Sequence, residues 1–188
     1  MSPLVQSVTN LLSLGTIFLN ILTAALLILL IVPAEREKWY AAISRFIGKN
    51  EILLSLFVAT TAVAGSLFYS EIANFAPCEL CWIQRAILYT QAVIFFVAIV
   101  AWRDEHVRKY RMFVRKFGIF LSAIGIPIAA YHTYLQFGGF SFIPCPATGP
   151  SCQFVYFVEY GYVTIPTMSL TAFILILVLC LFPWKNRD

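Results

Sequence analysis

Charge is what this chain of 188 residues has least of. Only 12% of it is Asp, Glu, Lys or Arg, whereas 61% is hydrophobic and the mean hydropathy is +0.84. Soluble domains carry about 25% charged residues, so the composition excludes one. Apolar runs fill most of the length and leave no room for a separate soluble domain. Cysteine is scarce too, with five residues in all, and their placement is correspondingly informative.

A helix rising 1.5 Å per residue needs about 20 apolar residues to cross roughly 30 Å of hydrocarbon. Five charge-free runs are of that order, roughly Val8–Val32, Ile52–Ser70, Ala86–Trp102, Phe117–Phe137 and Tyr160–Pro183. The expected fold is an all-α integral membrane protein. One set of connections between these runs nearly lacks positive charge. Arg36, Lys38, Arg45 and Lys49 lie between spans one and two; Arg103, Arg108, Lys109, Arg111, Arg115 and Lys116 lie between three and four; Lys185 and Arg187 follow span five. These are twelve of the 13 Lys and Arg residues, all on one side if the spans alternate, and the positive-inside rule makes that side cytoplasmic. The net charge of +4 therefore reports topology and gives no reason to invoke a nucleic-acid partner. Arg85 is the exception.

No Lys or Arg precedes the first span, its apolar run exceeds the 7–15 residues of a secretory h-region, and Val32-Pro33-Ala34-Glu35 is a poor cleavage site. It is read as a retained span with the N-terminus outside. Its polar residues Ser13, Thr16, Asn20 and Thr23 recur near a helical spacing and suit a face turned to the other helices.

Four of the cysteines fall in the connections expected outside: Cys78 and Cys81 between spans two and three, Cys145 and Cys152 between spans four and five. That is the oxidising side of the membrane. Cys180, near the other end of span five, reads as a small buried hydrophobe. The outer pairs admit three readings. As structural staples they close very short loops, for which the chain-entropy gain falls below the roughly 3 kcal/mol expected for 15 residues. As a four-thiolate zinc centre they would have to stay reduced in an oxidising compartment, and no resident metal is expected. As redox pairs they have the short, exposed character of labile disulfides, and this reading is preferred.

Local sequence favours the redox reading. Pro77 suits a helix start, and a helix beginning near Cys78 puts Cys78, Cys81 and Arg85 at i, i+3 and i+7 on one face, with Glu79 on another. A helix N-terminus and a guanidinium both favour the thiolate, the reactive species. Arg85, about a turn deeper near the membrane interface, needs an anionic or carbonyl partner; a quinone carbonyl would serve, and snorkelling to lipid phosphate is the plainer alternative. Pro144, Pro146, Gly149 and Pro150 surround the second pair and disfavour regular structure. Phe137, Phe140, Phe142, Phe154, Tyr156 and Phe157 flank it and suit an interfacial aromatic belt.

At Pro77-Cys78-Glu79-Leu80-Cys81-Trp82-Ile83-Gln84-Arg85, at His132-Thr133-Tyr134-Leu135-Gln136, at the second cysteine pair and at Gly161-Tyr162-Val163-Thr164-Ile165-Pro166 the chain resembles the disulfide bond formation protein B family. The resemblance covers about residues 51–183, and the short Cys145–Cys152 spacing and the Thr-Ile-Pro element look like its Gram-positive-type branch. It implies a four-helix core at 51–188, with residues 1–50 as an extra transmembrane helix and cytoplasmic connection. It also implies a cell-membrane enzyme in which Cys78 and Cys81 couple to a quinone, menaquinone or ubiquinone. Arg85 would be the quinone-side cation, and Cys145 and Cys152 would meet an extracytoplasmic thioredoxin-fold thiol oxidase. His132, an ordinary bundle histidine on the bare sequence, becomes a candidate quinone donor or proton carrier by the same resemblance. Glu159 reads as a solvated interfacial acid.

Three rivals stand beside this reading. A vitamin K epoxide reductase-like enzyme couples two cysteine pairs to a quinone, but there the Cys-x-x-Cys pair follows the loop cysteines. A thiol-reductant exporter would carry cysteines along a transport path. A membrane adaptor with structural disulfides would lose only stability on Cys78→Ser.

Overall fold

The computed structural model describes residues 2–31, 38–101, 110–141 and 150–182. They form five helices, α1 (Pro3–Ile31), α2 (Lys38–Leu67), α3 (Glu79–Ala101), α4 (Arg111–Gln136) and α5 (Ile165–Leu181), with a π-helical turn, Phe68–Ile72, continuing α2. Among the described residues there is no strand beyond an isolated bridge between Glu159 and Val163. The protein is an all-α, multi-pass membrane protein. Helices α2, α3, α4 and α5 close a four-membered ring, each packed on the next, and α1 lies outside it against α5.

The five runs free of charge each lie on one helix, but the helices differ from them in extent. Helix α2 starts well before Ile52 and α4 before Phe117, because Lys, Arg and Glu are good helix formers; lack of charge marks the part that crosses hydrocarbon, not the whole helix. Much of the expected connection before span two is therefore the first turns of α2. Helix α3 begins at Glu79, so Cys81 and Arg85 are helical residues, with the Trp82 N–H donating to the Cys78 carbonyl at 3.1 Å. Helix α5 begins five residues after Tyr160, since Tyr160 (φ 52°) and Gly161 (φ 82°) turn the chain through the left-handed region. Thr164 is extended, and its N–H donates to the Thr167 hydroxyl at 2.7 Å to open the helix.

Most of α5 is buried, as its central position requires. Phe173 packs over Gly125 of α4, where a Cβ would come within 2.6 Å of its ring. Ring and glycine thus bring the two helices close. Outside, Leu11, Phe18, Ile21, Phe57, Phe96, Phe113 and Phe120 are exposed, which is where side chains meet lipid tails. Polar groups turn inward. Gln91 donates to the Ser122 hydroxyl at 2.9 Å in mid-bundle, and the buried Glu51 accepts from the partly buried Arg111 Nε at 3.1 Å. Arg111 also donates to the Gly48 carbonyl, and Arg115 to the carbonyl of Cys180. These cations define one end of the bundle. Cys180 lies there, buried beside Ser55 and Gly118, as expected of a small apolar residue.

Helix α1 carries a polar stripe at Gln6, Thr9, Ser13, Thr16, Asn20 and Thr23, spaced three and four residues apart and therefore on one face. Thr9, Ser13, Thr16 and Thr23 are buried. Asn20 accepts from Thr171 of α5 at 2.8 Å and donates to the Tyr162 hydroxyl, and Gln6 donates to Glu159. The inward face expected of Ser13, Thr16, Asn20 and Thr23 is present, and Glu159 is tied to α1 instead of merely solvated.

Candidate functional site

At the end of the bundle opposite the cations, three elements converge. Pro77 and Cys78 lead into α3; the last turns of α4 present His132 and Leu135; and the segment before α5 carries Cys152. Cys78, Leu135 and Cys152 form one buried cluster, with Leu80, Cys81 and Tyr131 packed against it. The fold thereby brings together cysteines 71 or more positions apart in sequence. Cys145 lies outside the described residues.

Cys78 sits just before the first helical residue and Cys81 one turn on, which sets their sulfurs 3.4 Å apart with the Cys78 thiol donating. This hydrogen bond, then burial, pushes the Cys78 thiol up to about 12, against a smaller opposing effect of His132. Cys78 therefore holds its proton at neutral pH and offers it to its neighbour. His132 Nε2 stands 3.5 Å from the Cys78 sulfur, and Gln84 Nε2 stands 3.0 Å from His132 Nδ1. With the Gln84 amide nitrogen donating, the imidazole proton resides on Nε2 and faces the cysteine. The Gln84 amide, the imidazole and the Cys78 thiol then make one chain of donors directed at Cys81. Both Gln84 and His132 are buried.

Arg85, on the same face of α3 as the cysteines, is only 5% exposed. Its Nε donates to the Ser66 hydroxyl at 2.9 Å and its terminal nitrogen to the Ser66 carbonyl at 2.8 Å. The guanidinium also lies 5.2 Å from the ring centre of Trp82. It has found on α2 a carbonyl partner of the kind an interfacial cation requires. Glu79 is exposed on another face, as its spacing predicts.

Cys78, Cys81, Gln84, Arg85 and His132 line one partly open pocket. Its walls are aromatic. Phe75 stacks on Tyr156 at 4.3 Å and on Tyr69 at 5.8 Å, Phe154 meets Tyr156 edge to face at 4.9 Å, and the Tyr156 hydroxyl donates to the Ala76 carbonyl at 2.9 Å. Of the aromatics expected to form a belt, Phe137 and Phe140 are exposed, whereas Phe154 and Tyr156 line the pocket, Phe157 packs beside it on Tyr69 and Phe75, and Phe142 lies outside the described residues. Gln84, Ser66, Tyr69 and Phe75 were not singled out from the sequence. Only proximity reveals them, although Gln84 stands inside the Cys-x-x-Cys segment.

A membrane bundle that holds a dithiol, an imidazole and a third cysteine in one buried cluster is equipped for thiol–disulfide exchange. The chain belongs to the disulfide bond formation protein B family: residues 49–183 match the family described as "Disulfide bond formation protein DsbB". It is 37% identical over 146 residues to a probable disulfide formation protein of Oceanobacillus iheyensis, covering 74% of this chain and 92% of that one. It is likewise 37% identical to disulfide bond formation protein C of Bacillus subtilis over 144 residues, 74% of this chain and 99% of the relative. A probable disulfide formation protein C of Halalkalibacterium halodurans is 37% identical over 140 residues, with 74% and 96% covered. No solved structure matches the chain. Membership gives the protein a role in disulfide bond formation, as a disulfide oxidoreductase that works on a thiol–disulfide partner.

Proposed function

We propose that the protein reoxidises an extracytoplasmic thioredoxin-fold thiol oxidase and passes the electrons to a membrane quinone, in the cell membrane and with both cysteine pairs outside. The observation that carries this reading is the shared pocket, in which Cys81, Arg85 and His132 stand together behind aromatic walls, while Cys152 lies in the same buried cluster as Cys78. The chemistry resides in the four-helix core, residues 51–188, to which residues 1–50 are appended.

The partner's dithiol reduces the Cys145–Cys152 disulfide and is itself oxidised, each exchange passing through a mixed disulfide. Cys145 and Cys152, now a dithiol, reduce the Cys78–Cys81 disulfide in the same manner. Two electrons and two protons then reside on Cys78 and Cys81. The pocket suits a quinone: Arg85, with donors beyond the two given to Ser66, is a buried donor for a carbonyl oxygen, His132 can turn its Nε2 proton from Cys78 to the other, and Tyr69, Phe75, Phe154 and Tyr156 offer flat apolar surface. When bound it supplies the two-electron sink, taking up two protons as it becomes quinol. Cys78 directs its proton at the Cys81 sulfur. His132, fixed by Gln84, holds the proton nearest the pair, and Arg85, fixed by Ser66, supplies positive charge.

The test is quinone reduction by purified protein in nanodiscs, driven by a reduced thioredoxin-fold oxidase. Quinol should form in step with partner disulfide, one for one, and Cys78→Ser should abolish it. Partner oxidation over many turnovers that proceeds without consuming quinone would overturn the proposal.

A further inference from the structure

The same cysteines have a second capacity in the reduced state. Cys78 Sγ, Cys81 Sγ and the nearest nitrogen of His132 all lie within 4.8 Å of one another. We propose that the reduced Cys78–Cys81 pair and His132 form a three-ligand site for a thiophilic divalent cation of the zinc class, whose binding arrests the protein reversibly.

Geometry carries the argument. Around a tetrahedral ion with metal–sulfur bonds of about 2.3 Å and metal–nitrogen bonds of about 2.0–2.1 Å, two sulfurs stand about 3.8 Å apart and a sulfur and a nitrogen about 3.5 Å. Here the sulfurs are 3.4 Å apart and Cys78 Sγ is 3.5 Å from His132 Nε2. A shift of a few tenths of an ångström between the sulfurs, and closure of His132 on Cys81, complete the set. Electrostatics agree, since two thiolates and a neutral imidazole around a doubly charged cation sum to zero, the charge that a buried site near lipid best tolerates.

The supporting shell is present. A ligating histidine generally gives its other N–H to an acceptor. Gln84 stands 3.0 Å from Nδ1, and turning its amide over presents an oxygen there. One glutamine can thus serve both tautomers, holding the proton on Nε2 in the exchange-competent dithiol and on Nδ1 in the metal-bound state. Binding breaks two S–H bonds, forms two metal–sulfur bonds and releases two protons to water, with no change of oxidation state. Both sulfurs are then engaged and can attack no disulfide.

This inference is independent of the quinone reading, because its test contains neither quinone nor partner. Full-length protein in nanodiscs, reduced and freed of reductant under anaerobic conditions, is titrated with Co²⁺ and then Zn²⁺. One equivalent of Co²⁺ should give the intense visible bands of a tetrahedral site and a thiolate-to-cobalt charge-transfer band, both bleached by Zn²⁺. Oxidising the unmodified protein with diamide should abolish binding, as should Cys78→Ser or Cys81→Ser, whereas Cys152→Ser should keep the single equivalent. Gln84→Ala should weaken binding about 10- to 100-fold. Co²⁺ uptake that survives diamide, or that is unchanged by both His132→Gln and Gln84→Ala, would overturn the site.

Discussion

Replacing Arg85 by lysine preserves its charge and destroys its geometry. The arginine spends two donors on Ser66, at 2.9 Å to the hydroxyl and 2.8 Å to the carbonyl, while its plane lies against Trp82. An ammonium on a flexible stem cannot span both acceptors from the same backbone position. Losing one hydrogen bond from a charged donor costs about 1.5–3 kcal/mol. If that loss falls on the step in which Arg85 steadies charge developing in the pocket, quinone reduction slows by about 10- to 150-fold, at about 1.36 kcal/mol per tenfold. Ser66→Ala removes the hydroxyl and leaves the carbonyl, so it should reproduce only the lower part of that range. The assay is steady-state quinone reduction across a quinone titration, alongside stopped-flow oxidation of the partner without quinone. The second measurement should barely change, because exchange with Cys145 and Cys152 does not involve Ser66 or Arg85. Unchanged kcat and KM in Arg85→Lys would show that the bidentate hold on Ser66 is irrelevant to turnover.

Four other outcomes are expected. After reduction, a membrane-impermeant maleimide added outside intact cells should label Cys78, Cys81, Cys145 and Cys152 and spare Cys180; labelling of the two pairs from opposite sides would sink the relay. Because the bond to Cys81 is the largest cause of the raised Cys78 thiol, Cys81→Ala should bring the midpoint for Cys78 alkylation down from about 12 toward the ordinary thiol value of 9; the thiolate then appears at lower pH, and an unmoved pH–rate profile would contradict the assigned hydrogen bond. Glu51→Gln leaves the partly buried Arg111 without its carboxylate, though with the Gly48 carbonyl, and should cost about 1.5–3 kcal/mol, read as a lower midpoint for unfolding in mild detergent. Gly125→Ala forces a methyl against the Phe173 ring and should destabilise the bundle by about 1–3 kcal/mol, while Gly15→Ala, with nothing near its Cβ position, should leave the midpoint in place.

Local patterning made the bundle legible. Five charge-free runs gave five helices, and the spacing of Cys78, Cys81 and Arg85 gave their common face, because both follow from rise and turn per residue. What the sequence could not show is which residues distant along the chain meet. Ser66 carries no signal of its own, yet it fixes Arg85. Gln84 reads as a neutral filler between Ile83 and Arg85 until α4 places His132 beside it. The aromatics near the second cysteine pair were legible as interfacial, but stacking of Tyr156 on Phe75 depends on a packing of loops that no periodicity encodes. The start of α5 was misjudged because hydropathy continues through Tyr160 and Gly161, while backbone conformation there does not.

The outer helix α1 is glued on by its polar stripe, and its apolar flank faces the acyl chains. The contact between α1 and the core is thus only partly hydrophobic, with Leu26 packing into the core cluster while Asn20 makes the hydrogen bonds. In dry hydrocarbon, the Asn20 amide has the Thr171 and Tyr162 hydroxyls of the core to satisfy it, and leaving would strand it. Where water reaches it, that compulsion disappears. The grip of α1 is therefore set by the surroundings as much as by the protein: firm in a thick bilayer, slack in a thin or hydrated micelle. In effect the stripe gauges local wetness. Through Gln6 on Glu159 and Asn20 on Tyr162, it couples that gauge to the turn that leads into α5, at the cysteine end of the bundle.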